Sequence, residues 1–391
     1  MTRPTPDQIV NVIREVYGVA DGDIPLHAPV FGGNESAYVQ QTIASTFVSS
    51  VGAYVSRFED MLKECTGAAH AIATVNGTTA LQMALILAGV QHGDMIVTQS
   101  LSFVATANAA RHAGAEPAFV DVDSDTLGMS PAALRRFLET ECKPVEGHCR
   151  HIASGKRIAA CVPMHSFGLP CNLLEIMAVC AEWNIPLVED AAESLGSEYQ
   201  GRACGTFGLV SSLSFNGNKI VTTGGGGAIL TSNPDIARRA RHLTTTAKQP
   251  HRWRFTHDEV GYNFRMPNIN AALGCAQLER LPEFVTYKRD LADRYRRRFR
   301  DIGIDFQNEP SNSKAMYWLC AILMKDEAER DALLEFSNAR GVMTRPIWDP
   351  LHELPMYCGS PRGDLPVTMD IARRLVNIPS GFRDSTVAAH A

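Results

Sequence analysis

Apolar residues along the chain form two alternating patterns, short β-rich runs and longer stretches with helical spacing. The β-rich runs cover residues 69–75, 94–98, 117–122, 158–163 and 186–189. The stretches whose apolar positions recur every three or four residues, which predict helices, cover residues 80–88, 103–113, 131–138 and 173–183. Strands that alternate with helices predict an α/β fold with a mainly parallel sheet covered on both faces. Ligands bind such sheets at the carboxyl ends of the strands.

The two ends of the chain differ from this middle part. Before it, the pattern predicts an amphipathic helix, an extended segment and two further helices, at residues 1–20, 24–30, 35–48 and 54–66. After it come a long helix-rich stretch, a segment of β character and another helix, at residues 266–302, 315–324 and 327–341. The chain has 391 residues, more than the roughly 250–300 at which one core usually divides. We therefore predict an N-terminal helix, a large α/β domain and a smaller C-terminal α+β domain, at residues 1–20, 21–265 and 266–391.

Composition and charge narrow the classes of function. The chain is 45% hydrophobic and 20% charged, which is ordinary for a globular protein. The net charge is −5 and the basic residues form no block, so we expect no nucleic-acid partner. No apolar run reaches the roughly 18–20 residues of a membrane span. No secretion signal opens the sequence, so we expect a cytoplasmic protein without a membrane partner.

The cysteine pattern argues against a metal site. The ten cysteines include no Cys-x-x-Cys pair, which structural zinc usually requires. Cys142, His148, Cys149 and His151 have a metal-like spacing, but they stand in a Gly/Pro/Lys loop without a second paired arm. We expect no metal.

Two polar residues stand where a reactive site is plausible. Lys219 lies among small residues, just before the glycine-rich run at 222–227. Asp190 ends an apolar run that reads as a buried strand, where a carboxylate is unfavourable unless it meets a cation. Taken singly, each has an ordinary explanation, since most loop lysines are surface charges and an aspartate after a strand is often a helix N-cap.

A possible phosphate cradle and a flat side chain complete this set. Gly77, Thr78 and Thr79 lie between a strand and a helix, where backbone N–H groups and the helix dipole bind phosphate. Such a turn is common, and Phe103 alone would be a core aromatic. Together the features match the needs of pyridoxal 5′-phosphate (PLP): a lysine for the aldehyde, an anion for the ring nitrogen, a phosphate cradle and a group against the ring.

In this order along the chain, these features resemble fold-type I PLP enzymes, and more narrowly the DegT/DnrJ/EryC1/StrS sugar aminotransferases. The most specific stretches are residues 76–81, 99–108, 189–196, 214–228 and 261–266. The implied cofactor contacts are Lys219 at the aldehyde, Asp190 at the ring nitrogen, Phe103 on the ring face, Glu193 at the hydroxyl edge, and Gly77, Thr78, Thr79 and Ser214 at the phosphate. Asn263 matches an asparagine that reaches the phosphate from the neighbouring subunit, which implies a homodimer with shared active sites.

Further stretches are similar to the 4-aminotransferases of legionaminic-acid and related surface-sugar pathways, namely residues 25–35, 45–52, 344–348 and 354–357. This resemblance implies transfer of an amino group from L-glutamate, through pyridoxamine phosphate, to the C4 ketone of a nucleotide-linked 4-keto-6-deoxy sugar, with UDP favoured. His165, Arg265 and Arg345 are the expected substrate contacts, together with Lys248. Gly225 stands where many relatives have glutamate, which leaves the local sugar contacts open.

Three alternatives remain at this point. A sugar dehydratase that uses pyridoxamine phosphate has the same scaffold, but such relatives typically carry histidine in place of Lys219. A non-catalytic PLP-binding regulator would not need both Lys219 and Asp190. A nicotinamide-dependent oxidoreductase would need a glycine fingerprint with a ribose-binding acid downstream, and the run at 222–227 does not have that form.

Overall fold

The computed structural model describes residues 3–383. Its helices are α1 (Pro6–Tyr17), α2 (Glu35–Ser45), α3 (Ala53–Thr66), α4 (Gly77–Leu87), α5 (Ala105–His112), α6 (Pro131–Glu141), α7 (Leu173–Glu182), α8 (Pro234–Thr244), α9 (Asn268–Glu279), α10 (Leu281–Asp301), α11 (Glu327–Asn338) and α12 (Pro366–Arg374). Its strands are β1 (His70–Thr74), β2 (Met95–Gln99), β3 (Glu116–Val120), β4 (Cys142–Val145), β5 (His148–His151), β6 (Ile158–Val162), β7 (Val188–Asp190), β8 (Glu198–Tyr199), β9 (Arg202–Ala203), β10 (Val210–Ser214), β11 (Gly227–Thr231), β12 (Asp305–Phe306), β13 (Ser313–Lys314), β14 (Cys320–Leu323), β15 (Arg345–Pro346) and β16 (Leu375–Ile378). Between residues 3 and 383, every helix is too short or too polar to cross a lipid bilayer.

The central sheet has the strand order β1-β11-β10-β7-β6-β2-β3. Isolated parallel bridges, from Cys161 to Leu187 and from Met164 to Asp190, join β6 to β7. Neighbouring strands are parallel except at β11, which is antiparallel to both β1 and β10. This arrangement confirms the expected α/β fold with a mainly parallel sheet.

Local sequence explains where the helices on this sheet begin. The Ser130 hydroxyl accepts the Ala133 N–H at 3.3 Å, and Pro131 occupies the first turn of α6. The long stretch predicted at 266–302 is two helices rather than one. α9 ends near Arg280, because Pro282 cannot donate a backbone hydrogen bond and instead occupies the first turn of α10.

The apolar pattern does not indicate the central strands β10 and β11. β10 carries the buried serines Ser211 and Ser212 between the buried apolar residues Val210 and Leu213. The Ser211 hydroxyl donates to the Gly205 carbonyl at 2.6 Å, whereas the Ser212 hydroxyl has no protein partner within residues 3–383. Burial of β10 is therefore decided by its neighbours in space as much as by its own hydrophobicity.

A second, antiparallel sheet has the order β12-β14-β16-β15. Helix α1 packs against α10 and α11 beside this sheet, and its buried Ile9 and Ile13 belong to the same core as Ile322 and Val376. The Thr5 side chain caps the start of α1, and Gly18, with φ of 69°, ends it. The predicted domain boundaries at 21–265 and 266–391 stay predictions.

Candidate active site

A cavity of about 600 Å³ opens at the carboxyl ends of the central strands. Asp190 ends β7 and Ser214 ends β10, so both are placed at the edge where a parallel sheet binds ligands. The opposite wall comes from the second sheet and the segments before it, through Trp318, Leu319, Met343, Arg345, Pro346, Trp348 and Asn377. The cavity therefore lies between the two sheets.

The N-terminus of α4 forms one end of the cavity. Gly77 and Thr78 line the wall, and the first amides of a helix have no partner inside that helix. A Cβ atom on Gly77 would stand 2.7 Å from Cβ of Ser214, so glycine is required where the helix meets β10. Thr79 does not line the cavity, since its N–H and hydroxyl both bond to Asn76, at 2.8 and 3.0 Å. The predicted Thr79 phosphate contact has no support in this geometry.

Asp190 is buried at the floor of the cavity. Its carboxylate accepts the Thr106 hydroxyl at 2.8 Å and the Ala192 N–H at 3.2 Å. Residues 191–197 form turns, so Asp190 is not the N-cap of a helix. Burial raises the pKa of Asp190, and the bonds from Thr106 and Ala192, together with the nearby charge of Lys219, lower it in part. The carboxylate lies in a place that favours a cation opposite it.

Lys219 is held in the same cavity by two neighbours. Its Nζ donates to Oε1 of Glu193 at 2.9 Å and lies 3.8 Å from the centre of the Trp318 ring. The Lys219 side chain is only 12% exposed and that of Glu193 only 2%. Burial raises the pKa of Glu193, and the Lys219 charge opposes this shift. Lys219 is thus an ordered amine inside a cavity and not a surface charge.

Phe103 lines the cavity entrance with 49% of its surface exposed. Its ring centre lies 6.4 Å from that of Trp348 on the opposite wall. An aromatic residue this exposed is not part of the core, which removes the ordinary explanation for Phe103.

His165 and Glu189 lie behind Asp190 and outside the cavity. The fully buried imidazole of His165 accepts the Cys171 N–H at Nδ1, at 3.2 Å, so Nε2 carries the proton that faces Glu189 at 3.3 Å. Glu189 also accepts backbone N–H groups of residues 205, 207 and 208. The backbone N–H of His165 also donates to the Asp190 carbonyl at 3.2 Å, so this pair supports the strand that carries Asp190. His165 does not line the cavity, and its contact with substrate stays a prediction.

Three further expected residues lie outside the cavity of their own chain. Arg265 pairs with the buried Glu59 at 2.6 Å, a carboxylate that Arg241 also binds. Lys248 lies 3.7 Å from the centre of the Phe255 ring. Asn263 is exposed, which is compatible with a contact to a second subunit. Arg265 and Lys248 do not line the cavity of their own chain, and the roles predicted for Arg265, Lys248 and Asn263 stay predictions.

Comparison with known proteins finds similarity over nearly the whole chain. Residues 30–386 match the model of the DegT/DnrJ/EryC1/StrS aminotransferase family. The chain belongs to this family. It is 34% identical over 357 residues to the GDP-perosamine synthase of Escherichia coli O157:H7, covering 91% of this chain and 93% of that protein. It is 30% identical over 376 residues to the dTDP-4-dehydro-2,3,6-trideoxy-D-glucose 4-aminotransferase of Saccharopolyspora spinosa, covering 91% of each.

The structure of the aminotransferase TlmJ from Streptoalloteichus hindustanus is also similar, with a TM-score of 0.83 and 32% identity. The match covers 92% of this chain and 94% of TlmJ. The family and the fold agree with the expectation from the sequence motifs. The narrower legionaminic-acid branch stays a prediction.

As a member of the DegT/DnrJ/EryC1/StrS family, the chain is a PLP-dependent aminotransferase. The cavity fits this cofactor at three points. The open end of α4 beside Ser214 suits a phosphate, the buried Asp190 suits a protonated ring nitrogen, and Lys219 lines the same space. Gly227 must also be glycine, because a Cβ there would stand 2.4 Å from the Asn76 carbonyl oxygen behind this cradle.

Several residues that line the site of this family member are not predicted from the sequence. Thr106 bonds Asp190, and its stretch 99–108 is one of the motifs, so that signal is present in the sequence. His27 likewise lies in the motif at residues 25–35, whereas Trp318 comes from a distant part of the chain and has no local signal. Phe167 adopts φ of 57°, which is unfavourable for a bulky residue, and its N–H donates to Glu193 at 3.0 Å.

The possible metal ligands lie outside the cavity. Within residues 3–383, the one group with ligand atoms all within 4.8 Å of one another is His242, Asp258 and Glu259. Arg239 pairs with Glu259, and Nε2 of His242 lies 2.7 Å from Asp258, so these charges already compensate one another. The absence of a metal stays a prediction.

Proposed function

We propose that the protein transfers the amino group of L-glutamate to the C4 ketone of a nucleotide-linked 4-keto-6-deoxy sugar. The observation that carries this proposal is that Lys219 and Asp190 line one cavity, whose end is formed by the open amides of α4. An aminotransferase needs an amine, a buried anion and a phosphate cradle in this relation. The related enzymes are named for GDP- and dTDP-linked sugars.

The chemistry can be assigned to this chain's own side chains. PLP, when bound, supplies an aldehyde that accepts an amino group and a protonated ring that withdraws electrons. Asp190 would hold the proton on the ring nitrogen, because a buried carboxylate stabilises the cation in front of it. Nζ of Lys219 would take the proton from Cα of the amino donor and return it, as a general base and then a general acid.

The neighbours of Lys219 orient the amine and exclude water. Glu193 accepts a hydrogen bond from Nζ, and the Trp318 ring covers the opposite side. Phe103 and Trp348 form the two sides of the entrance. Such orientation raises the rate because the proton moves between groups already in place.

The cation that best suits the nucleotide diphosphate is Arg345, an exposed side chain at the rim of the cavity. Arginine binds phosphate through paired N–H donors. We favour UDP as the nucleotide from the motif resemblance, with surface-glycan synthesis as the pathway. We also propose a cytoplasmic homodimer in which Asn263 serves the partner's site.

Lys219 also distinguishes an aminotransferase from a sugar dehydratase and from a non-catalytic regulator. A dehydratase of this scaffold typically has histidine at this position, and a silent regulator has no need for an ordered amine beside Glu193 and near Asp190. The amine of Lys219 is largely buried and paired with Glu193, and removing such a pair from water is costly.

The Lys219→Ala variant tests the proposal. We expect transamination from glutamate to a panel of UDP-, GDP- and dTDP-linked 4-keto-6-deoxy sugars to fall by at least roughly 10²–10⁴-fold, the range for losing a general acid–base group. Borohydride should fix PLP covalently to the wild-type peptide that contains Lys219 and not to the variant, as read by mass spectrometry. Lys325→Ala, at an exposed position, is the control. Full activity of the folded Lys219→Ala variant would refute the mechanism.

A further inference from the structure

His27 is a partly buried residue whose two ring nitrogens are buried without a hydrogen-bond partner. Neither ring nitrogen meets a donor or acceptor within residues 3–383, although both are shielded from solvent. Buried polar side chains are nearly always hydrogen-bonded, so an orphaned one calls for an explanation. His27 also lines the active-site cavity, where a bound molecule could supply the missing partner.

The surroundings place His27 beside the reacting amine. Its ring centre lies 6.3 Å from that of Trp318, the same ring that Nζ of Lys219 approaches at 3.8 Å. Behind Trp318, the buried Lys288 donates to the Trp318 carbonyl at 3.0 Å. The imidazole therefore lies near both lysines, on the wall of the cavity in which the acceptor carbonyl must react.

This position keeps His27 uncharged. Burial, followed by the charges of Lys288 and Lys219, holds the pKa of His27 well below its ordinary value. A neutral imidazole offers one donor and one acceptor. A hydroxyl group matches both, whereas a carboxylate or phosphate is better matched by a cation such as Arg345.

The two substrates of the proposed reaction differ in whether they carry hydroxyl groups. Glutamate carries carboxylates and an amine but no hydroxyl, whereas sugars carry hydroxyls next to the reacting carbon. A neutral hydrogen-bonding group beside Lys219 would thus bind the sugar in its half-reaction and leave the glutamate half-reaction unaffected.

We propose that His27 hydrogen-bonds a hydroxyl of the sugar acceptor adjacent to its reacting ketone and so selects hydroxylated sugars. This inference rests on the function proposed above and adds a specificity residue to it. His27 enters the site from the extended segment before α2, far in sequence from the other residues of the site. Its role is to bind and orient the sugar, and it takes no part in moving the proton.

The experiment compares two acceptors that differ only in hydroxyl groups. These are dTDP-4-dehydro-6-deoxy-D-glucose and its analogue without hydroxyls at C2 and C3. His27→Phe keeps a ring but removes both polar nitrogens, and His27→Asn restores one donor and one acceptor. His112→Phe, at an exposed position, is the matched control. The glutamate half-reaction is followed as the colour change of the cofactor, the sugar half-reaction as its reversal, and sugar-nucleotide affinity by calorimetry.

We expect His27→Phe to lose roughly 3- to 10-fold in rate and affinity for the hydroxylated sugar, the effect of one neutral hydrogen bond. The glutamate half-reaction and the reaction with the dideoxy analogue should change less than about 2-fold, and His27→Asn should recover part of the loss. Equal losses with both sugars, or an equal loss in the glutamate half-reaction, would overturn the proposal. If wild-type protein fails to react with glutamate at all, the proposed function fails and not the assignment of His27 alone.

Discussion

Lys288 is a buried lysine whose partners are all uncharged. Its Nζ donates to the carbonyl oxygens of Tyr317, Trp318 and Ser380, at 3.3, 3.0 and 2.6 Å. Within residues 3–383 no carboxylate pairs with it. Because burial penalises the charged form, the pKa of Lys288 is lowered from 10.5 to about 7.

A pKa lowered on folding makes stability depend on pH. Between pH 7 and 10.5 the unfolded chain binds the proton and the folded chain does not, so this contribution to stability increases as pH rises. It is fully present above pH 10.5 and is lost as pH falls towards 7. At about 1.4 kcal/mol per pH unit, the whole window amounts to an upper limit of about 5 kcal/mol, since the three carbonyls favour the charged form and oppose the effect of burial.

The Lys288→Met variant removes the titrating group and keeps a side chain of similar length. From pH 7 to pH 9, we expect the unfolding free energy of the wild-type protein to increase relative to that of Lys288→Met by up to about 3 kcal/mol. The assay is urea unfolding followed by tryptophan fluorescence at pH 7, 8 and 9, with PLP at one fixed saturating concentration. Lys325→Met, at an exposed lysine, should leave the pH dependence unchanged.

The same comparison can refute this reasoning. If wild-type protein and Lys288→Met show parallel pH dependences, Lys288 stays charged up to pH 9. The three carbonyls would then compensate for burial in full. Loss of the donor to the three carbonyls lowers the stability of the variant equally at every pH, and that constant loss does not bear on the sign of the pH dependence.

Two further predictions concern the cavity. In Gly77→Ala, the added Cβ must push α4 away from Ser214, so PLP affinity should fall by at least about 10-fold, measured by titrating PLP into apoprotein. Gly359→Ala, where a Cβ meets open space, should bind PLP normally, and equal affinity in both variants would contradict the cradle. Arg345→Ala should raise KM for the sugar nucleotide by roughly 10-fold and leave KM for glutamate unchanged; an equal change in both would assign Arg345 to the amino donor.

Much of the site is visible in the sequence because it lies next to strand ends. Gly77 and Thr78 follow β1, Asp190 ends β7 and Ser214 ends β10. In a parallel sheet these ends meet at one edge whatever the side chains between them. Motif order along the chain therefore predicts that these residues share a cavity, and the structure places them there.

The apolar pattern also predicts the parallel strands β2 and β6, since β6 is apolar throughout and β2 over its first three residues, so both favour burial. It does not determine β10, whose serines are buried because strands on both sides satisfy its backbone. The pattern also does not show that Gly77 and Thr78 line the cavity while Thr79 does not. Only the hydrogen bonds from Thr79 to Asn76 show this difference.

The opposite wall was assembled by tertiary structure. His27, Trp318 and Arg345 are separated by long stretches of chain and meet only when the second sheet packs over the first. Of the three, only Arg345 is predicted from the sequence as a site residue, on the motif at residues 344–348. Arg265 shows the converse, because this basic residue of a recognisable motif is paired with the buried Glu59 and does not line the cavity of its own chain. Local sequence specifies strands, caps and turns through short-range backbone preferences. Which distant side chains share a cavity, and which charges are already paired, depends on packing between elements that no local pattern records.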